Sequence, residues 1–334
     1  MEISYDGSLR GLFSLLDGIV KGGPLPDRVR RGGPQDPARP FRAGPSPDAA
    51  RPPQCSGQGE QPDLFGPPGG PGLPSPLAEP RNPRRGISGE YPGEPLQWEG
   101  LVPFPYPAAG ELFAVSAKAY GSFLYGWMSE FPIEAELLSF ARQVLLAARK
   151  AGDLCSPGAR RAAEGALNDR GEAAVRTVLE AARKVRRESD RLMGLLRFRV
   201  FPGNIHIARC APDHLTLPSL ACHFSRRFGE IPWAIIDEKR RLTLSGPSGA
   251  PPRLLSGGPE AAGGALPLAP SAAGEPLDPW DHKDPWDHKD PWEELWRNYH
   301  RSINNESRNN PQLQKQFMPV RYWKYLTELT PPES

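Results

Sequence analysis

The sequence predicts an α+β fold: a small, mainly antiparallel sheet packed with several helices and interrupted by long Pro/Gly-rich inserts. Apolar residues recur at helical spacing over several segments, and the spacing switches to period two after Leu195. Proline and glycine are also concentrated rather than spread: residues 22–110 hold 22 Pro and 16 Gly in 89 positions, and residues 245–277 hold 7 of each in 33. That density marks low-complexity chain, expected to be disordered because so few large apolar side chains cannot offset the ordering entropy. The predicted organisation of the 334 residues is a strand and helix (1–21), a Pro/Gly-rich insert (22–110), helices, hairpin and a central α/β segment (111–244), a second insert (245–291) and C-terminal helices (292–334).

Each element has its own signal. "MEISYDGS" reads as a short strand ending in an Asp-Gly turn, and Leu9, Leu12, Phe13, Leu16 and Val20 then follow helical spacing. Helices are predicted over 112–128, 133–148 and 172–195; the last carries Val175, Val178, Leu179, Ala182, Val185 and Leu192 on one face. "LLRFRVFPGNIHIARC" predicts a hairpin turning at Pro202-Gly203. With a two-residue loop, Val200 faces Ile205 and Phe198 faces Ile207, leaving Arg197, Arg199 and His206 on the other face. Pro218 suits a first helical turn capped by Thr216, and "PWAIID" and "RRLTL" predict further strands. Trp292, Leu295, Trp296, Tyr299 and Ile303 make a helical stripe expected to be core, as do Tyr322, Trp323, Leu326 and Leu329.

The net charge of +2 gives no whole-chain case for a polyanion ligand, so any such case is local. No phosphate loop, dinucleotide fingerprint, HExxH or GxSxG motif occurs, and the four cysteines lack zinc or cluster spacing. They read as reduced thiols. Neither a cofactor nor a metal is expected. His282 and His288, in the tandem hexapeptide "DPWDHK", sit six apart, which does not align them on a helix; the repeat reads as an expansion. The acidic start does not fit a signal peptide and no apolar run has membrane length, so a cytoplasmic protein without membrane contact is expected.

Three functional readings follow. Between Arg176 and Arg209 there are nine Lys/Arg against three Asp/Glu, the best local case for a phosphate-facing surface. Its candidates are Arg186 and Arg187 on the helix, Arg197, Arg199 and His206 on the hairpin, and Arg227 on the next helix; a solvated helix face explains the same charges. Arg321 and Lys324 join them from a C-terminal run that interleaves cations with Phe317, Tyr322, Trp323 and Tyr325, as single-strand binding surfaces do. The second reading is an enzyme acting on DNA or a nucleotide, with His214 or His223 as acid–base and Asp213 orienting it; the plainer role of Asp213 and His214 is to stabilise the turn before the helix. The third is a protein–protein adaptor anchored by exposed aromatics such as Trp233 or Tyr325.

The motifs "YDGS", "DRLMGLLRF", "PDHxxLPxLxxHFxxRF", "PWxIxD", "ELWRxYHRSI" and "NPxLQxQFMPxRYWKYLTE" occur in order across all three foldable blocks. In these the chain resembles the bacterial "probable DNA metabolism protein" family, whose shared domain is of unknown function. The resemblance implies DNA as a ligand and a DNA-repair-type radical SAM protein as partner. It also implies kinship with chains in which the domain is fused to a uracil-DNA-glycosylase-like module. The long inserts and hexapeptide repeats depart from the family pattern. No glycosylase-like motif and no CxxxCxxC is present, so excision chemistry is not carried over and radical chemistry is left to the partner.

Overall fold

The computed structural model describes residues 1–5, 7–31, 106–201, 204–246, 252–256 and 291–329. The hexapeptide repeats lie outside them.

The fold is α+β, as the sequence predicts. In the first layer, Ser8 caps α1 (Leu9–Val20) by accepting the Gly11 N–H at 2.9 Å. Leu9, Leu12, Phe13 and Leu16 are thereby turned into a helical core, where Phe13 stacks on Tyr120 and Phe123. The single helix predicted over 112–128 is two, α2 (Pro107–Val115) and α3 (Ala117–Trp127). The break falls at Ser116, which ends one helix and caps the next by accepting the Ala119 N–H. Then follow α4 (Glu134–Lys150), α5 (Pro157–Asn168) and α6 (Ala173–Leu195). The sequence reading had no α5, although Ser156 before Pro157 is a plain start signal.

Two insert boundaries are corrected. β1 (Glu2–Tyr5) pairs in parallel with β2 (Arg28–Arg31), so the fold continues past residue 21. Likewise β6 (Leu242–Gly246) and β7 (Arg253–Ser256) carry the sheet past 244. Deleting residues 22–107 would remove β2, and deleting 245–277 would remove β7.

The main sheet runs β3 (Phe198–Phe201), β4 (Ile205–Cys210), β5 (Trp233–Asp237), β6, β7, antiparallel except for β4–β5. That parallel pair is joined by α7 (Leu217–Phe228), whose Leu217, Leu220, Ala221 and Phe224 join one sheet face in a second core with Ala208, Trp233, Ile235 and Leu244. Gly246 is needed opposite Trp233, since a Cβ there would lie 2.2 Å from the indole. Ile207, Ala234 and Ile236 occupy the other face.

The hairpin register differs from the expected one. Phe201 pairs with Ile205 and Val200 with His206, leaving three residues in the loop, the last of them Asn204 at φ 58°. An Asn tolerates the left-handed conformation that closes a three-residue loop. The one-residue shift moves His206 onto the face of Phe198, against Phe228, and sets Arg199 opposite Ile207.

The C-terminal stripe is a second correction. In α8 (Pro291–Ile303), Trp292, Leu295, Tyr299 and Ile303 are exposed rather than core. The helix is held by Glu293, which pairs with Arg199, by Arg297, which donates to the Thr327 carbonyl, and by one member of the stripe, Trp296, whose indole donates to Glu328. After α9 (Pro311–Phe317) comes a 3-10 segment, Val320–Tyr325, in which Tyr322 is buried and Trp323 only half so. Among the described residues no helix is long and apolar enough to cross a membrane, and no His/Cys/Asp/Glu group could hold a metal. Among the described residues, Cys210 and Cys222 carry thiols that are in no disulfide, and Cys210 is buried.

Candidate functional site

α6 is long enough to serve both cores, with Val175 to Val185 in the first and Leu192 in the second. Between them its buried stripe passes through Glu188 and Ser189, 3% and 1% exposed. Ser189 is bonded to Ser219 of α7, at 2.7 Å. Glu188 lines a groove of about 560 Å3 between α6, the α3–α4 loop, the β4–α7 loop and the turn after β5.

The Glu188 carboxylate accepts the backbone N–H groups of Asp213 and His214, each at 2.8 Å. It also accepts the Tyr322 hydroxyl and the Arg321 guanidinium. Burial opposes its charge, but the hydrogen bonds from Tyr322, Asp213 and His214 outweigh burial and hold it below the usual carboxylate range. Opposite, Arg240 closes the same loop. It donates to the carbonyls of Pro212 and Asp213 and pairs with Glu130 and the fully buried Asp237. The segment 212–214 is thus fixed from both sides.

His214 lies buried against Phe131, and its Nδ1 faces the Glu130 N–H at 3.4 Å. Burial lowers its pKa more than Glu188 and Asp213 raise it. The shift favours the neutral ring, and a neutral ring whose Nδ1 accepts the Glu130 N–H carries its proton on Nε2 and can donate from there. Asp213 does not orient it; that carboxylate pairs with Arg321 at 2.9 Å. His223 does not line the groove. It stands edge-on to Phe224, its Nε2 buried without a partner, with its pKa lowered by burial and by Arg227 and Arg226. Asp213 and His214 thus share the groove, with the Asp213 carboxylate turned to Arg321, and His223 lies apart from them.

The basic candidates divide likewise. Arg197 and Arg199 are matched by Glu328 and Glu293, Lys324 by Glu238, and Arg321 by Glu188 and Asp213. Arg186 lies over the Tyr125 ring, and Arg227 is exposed on α7. Trp233, an expected exposed anchor, is 1% exposed in the core, and Tyr325 donates to Glu238. Arg187 lines the groove, joined by three cations that the sequence reading did not single out: Lys184 and Arg191 at helical spacing on α6, and Lys239 facing them. Arg321 completes the rim. A second concavity of about 330 Å3 continues past Arg187 and Arg191 to Gln316 and Phe317.

Glu188 was missed because a glutamate inside "RKVRRESDR" looks like a solvated charge. The signal was its register: 185, 188, 189 and 192 continue the apolar face, so a charge there is buried and partnered.

An α+β protein with a cation-rimmed groove over one long helix is the class that fold and site define. Within it, the chain belongs to the family of the domain of unknown function DUF4130, whose family model matches residues 158–328. The match takes in α6, α7, the five-stranded sheet and the C-terminal segments, and so every groove residue except those of the α3–α4 loop. No curated protein and no solved structure matches the chain.

Proposed function

We propose that this protein is a nucleic-acid-binding accessory factor that holds a phosphate backbone along α6. The observation behind it is the cation set at one groove: Lys184, Arg187 and Arg191 on one helix face, with Lys239 and Arg321 across from them. Glu188 and Arg240 fix the loop between the two rims, so the cations are presented on a rigid frame. The family resemblance points the same way, toward DNA. Under this reading His214 donates from Nε2 to a ligand oxygen and performs no proton abstraction. The test is DNA affinity of the full chain against salt. Binding that weakens steeply with salt, and that Arg187→Glu with Arg191→Glu abolishes, is the expected result; no binding at low salt refutes the reading.

The exposed apolar side of α8 favours a second component. Trp292, Leu295, Tyr299 and Ile303 stand out from a helix held by its polar side, and a rigid aromatic row of this kind anchors protein partners. The partner implied by the resemblance is the radical SAM protein, which would supply the chemistry while this chain holds the substrate. Co-purification after nuclease treatment, lost on Trp292→Ser with Tyr299→Ser, is the expected outcome.

A further inference from the structure

The geometry points to single-stranded nucleic acid, rather than duplex, as the ligand of this groove, with a base stacked on Phe317; this rests on the nucleic-acid reading above. Arg187 and Arg191 line both concavities, so one pair of guanidiniums separates the cation-rimmed groove from the pocket at the end of α9. In that pocket Phe317 is 62% exposed. A phenyl ring left in water beside two arginines is what a strand with unpaired bases uses, its phosphates on the cations and a base face on the ring. A duplex keeps its base faces stacked inside and gains nothing from Phe317.

The pocket is held in place for this purpose. Arg191 donates to the Gln316 carbonyl at 3.4 Å, and the Trp323 indole donates to the Met318 carbonyl at 2.8 Å, tying the end of α9 to α6 and to the following turn. The one acidic residue in the pocket is Asp190, on the same helix as Arg186, Arg187 and Arg191. Burial raises its pKa and Arg186 opposes that rise. The cations therefore outnumber it where a phosphate would pass.

Fluorescence anisotropy on the full chain, with a short labelled oligothymidylate and a blunt duplex of equal length, tests the inference. Oligothymidylate should bind more tightly than duplex. Phe317→Ala should weaken it about tenfold, the loss expected from one stacking platform, without changing duplex binding, and Phe317→Trp should restore it. Equal affinity for the two probes, or an unchanged Phe317→Ala, overturns the single-strand inference while salt-dependent binding leaves the broader reading standing. Failure of both probes to bind at low salt overturns both.

Discussion

α1 and α8 carry the same kind of sequence pattern and meet opposite fates. Both place large apolar residues at helical spacing, yet Leu12, Phe13 and Leu16 of α1 are at most 2% exposed while Trp292, Leu295 and Ile303 of α8 are 57% or more. The difference is not in the helices. α1 reaches neighbours whose own apolar faces meet it, in α2 and α4, whereas α8 is fixed through Glu293 and Arg297 on its polar side and through the indole N–H of Trp296 at the stripe's edge. Periodicity tells which face is apolar; only the rest of the chain tells whether anything covers it.

The largest effect expected from this contrast is at Phe13. Its ring lies among Tyr106, Tyr120 and Phe123 in a packed interior, so Phe13→Ala should cost about 4 kcal/mol, the transfer loss plus a cavity the aromatic cluster cannot close. A urea titration would show it as a shifted midpoint with little change in slope. A loss under about 1 kcal/mol would mean α1 is no better packed than α8, contrary to the cavity cost expected of a core phenyl.

Glu188 is the intermediate case, a charge in the buried register of α6. Glu188→Ala leaves two backbone N–H groups and the Tyr322 hydroxyl without their acceptor, at a cost of about 3 kcal/mol. Glu188→Gln keeps an acceptor oxygen and should lose less. The same contacts set a smaller, pH-dependent effect. Glu188 has its folded pKa lowered, so its stabilisation is complete above its unfolded value, about 4.3, and is lost as pH falls through the folded one. His214 and His223 are also lowered, chiefly by burial; below about pH 6.5 the unfolded chain takes up their protons first, and stability declines. Relative to wild type, His214→Gln should therefore lose less stability chiefly in the upper, histidine range of acidification, with a smaller change in the Glu188 range because His214 helps lower that carboxylate. Asp17 and Asp237, which burial raises, titrate in the opposite sense, but they do so in both proteins and cancel in the difference. An unchanged loss over that upper range in His214→Gln would show that its ring is not buried neutral.

Much of the fold was legible. The spans of α4, α6 and α7 and the existence of the hairpin follow from spacing and punctuation alone. What was not legible has local causes. Asn204 takes a positive φ that composition does not reveal, and the added loop residue shifts β4 by one position against β3, so that His206 and not Ile205 lies opposite Val200. Thr216 sits at the α7 N-cap position, but its hydroxyl is buried without a hydrogen bond, so the expected cap is not made. β2 and β7 were hidden inside Pro/Gly-rich chain. The groove was half legible: the basic run on α6 announced one rim and Arg321 was a candidate from the C-terminal run, but Lys239, and the meeting of these distant segments at one groove, were not readable. Pairings such as Arg197 with Glu328, 131 residues apart, cannot be read from neighbours.

The smallest effect is expected on α8, and its smallness is informative. Leu295 is 57% exposed and Ile303 likewise, so replacing either by Ser removes little buried apolar area and should change stability by no more than about 0.5 kcal/mol, the range of ordinary surface substitutions. The helix has little reason to unwind, because its attachments run through Glu293, Trp296 and Arg297, which the substitutions leave intact. The Leu295→Ser, Ile303→Ser double variant should therefore melt with wild type and, under the proposed function, bind nucleic acid with wild type and lose only the proposed partner protein. Thermal melting of the isolated chain and pull-down of the partner are the paired measurements. A destabilisation of about 2 kcal/mol or more would place the stripe in the core, as its periodicity first suggested. A variant that melts normally but still retains its partner would show that the exposed row serves something other than that contact.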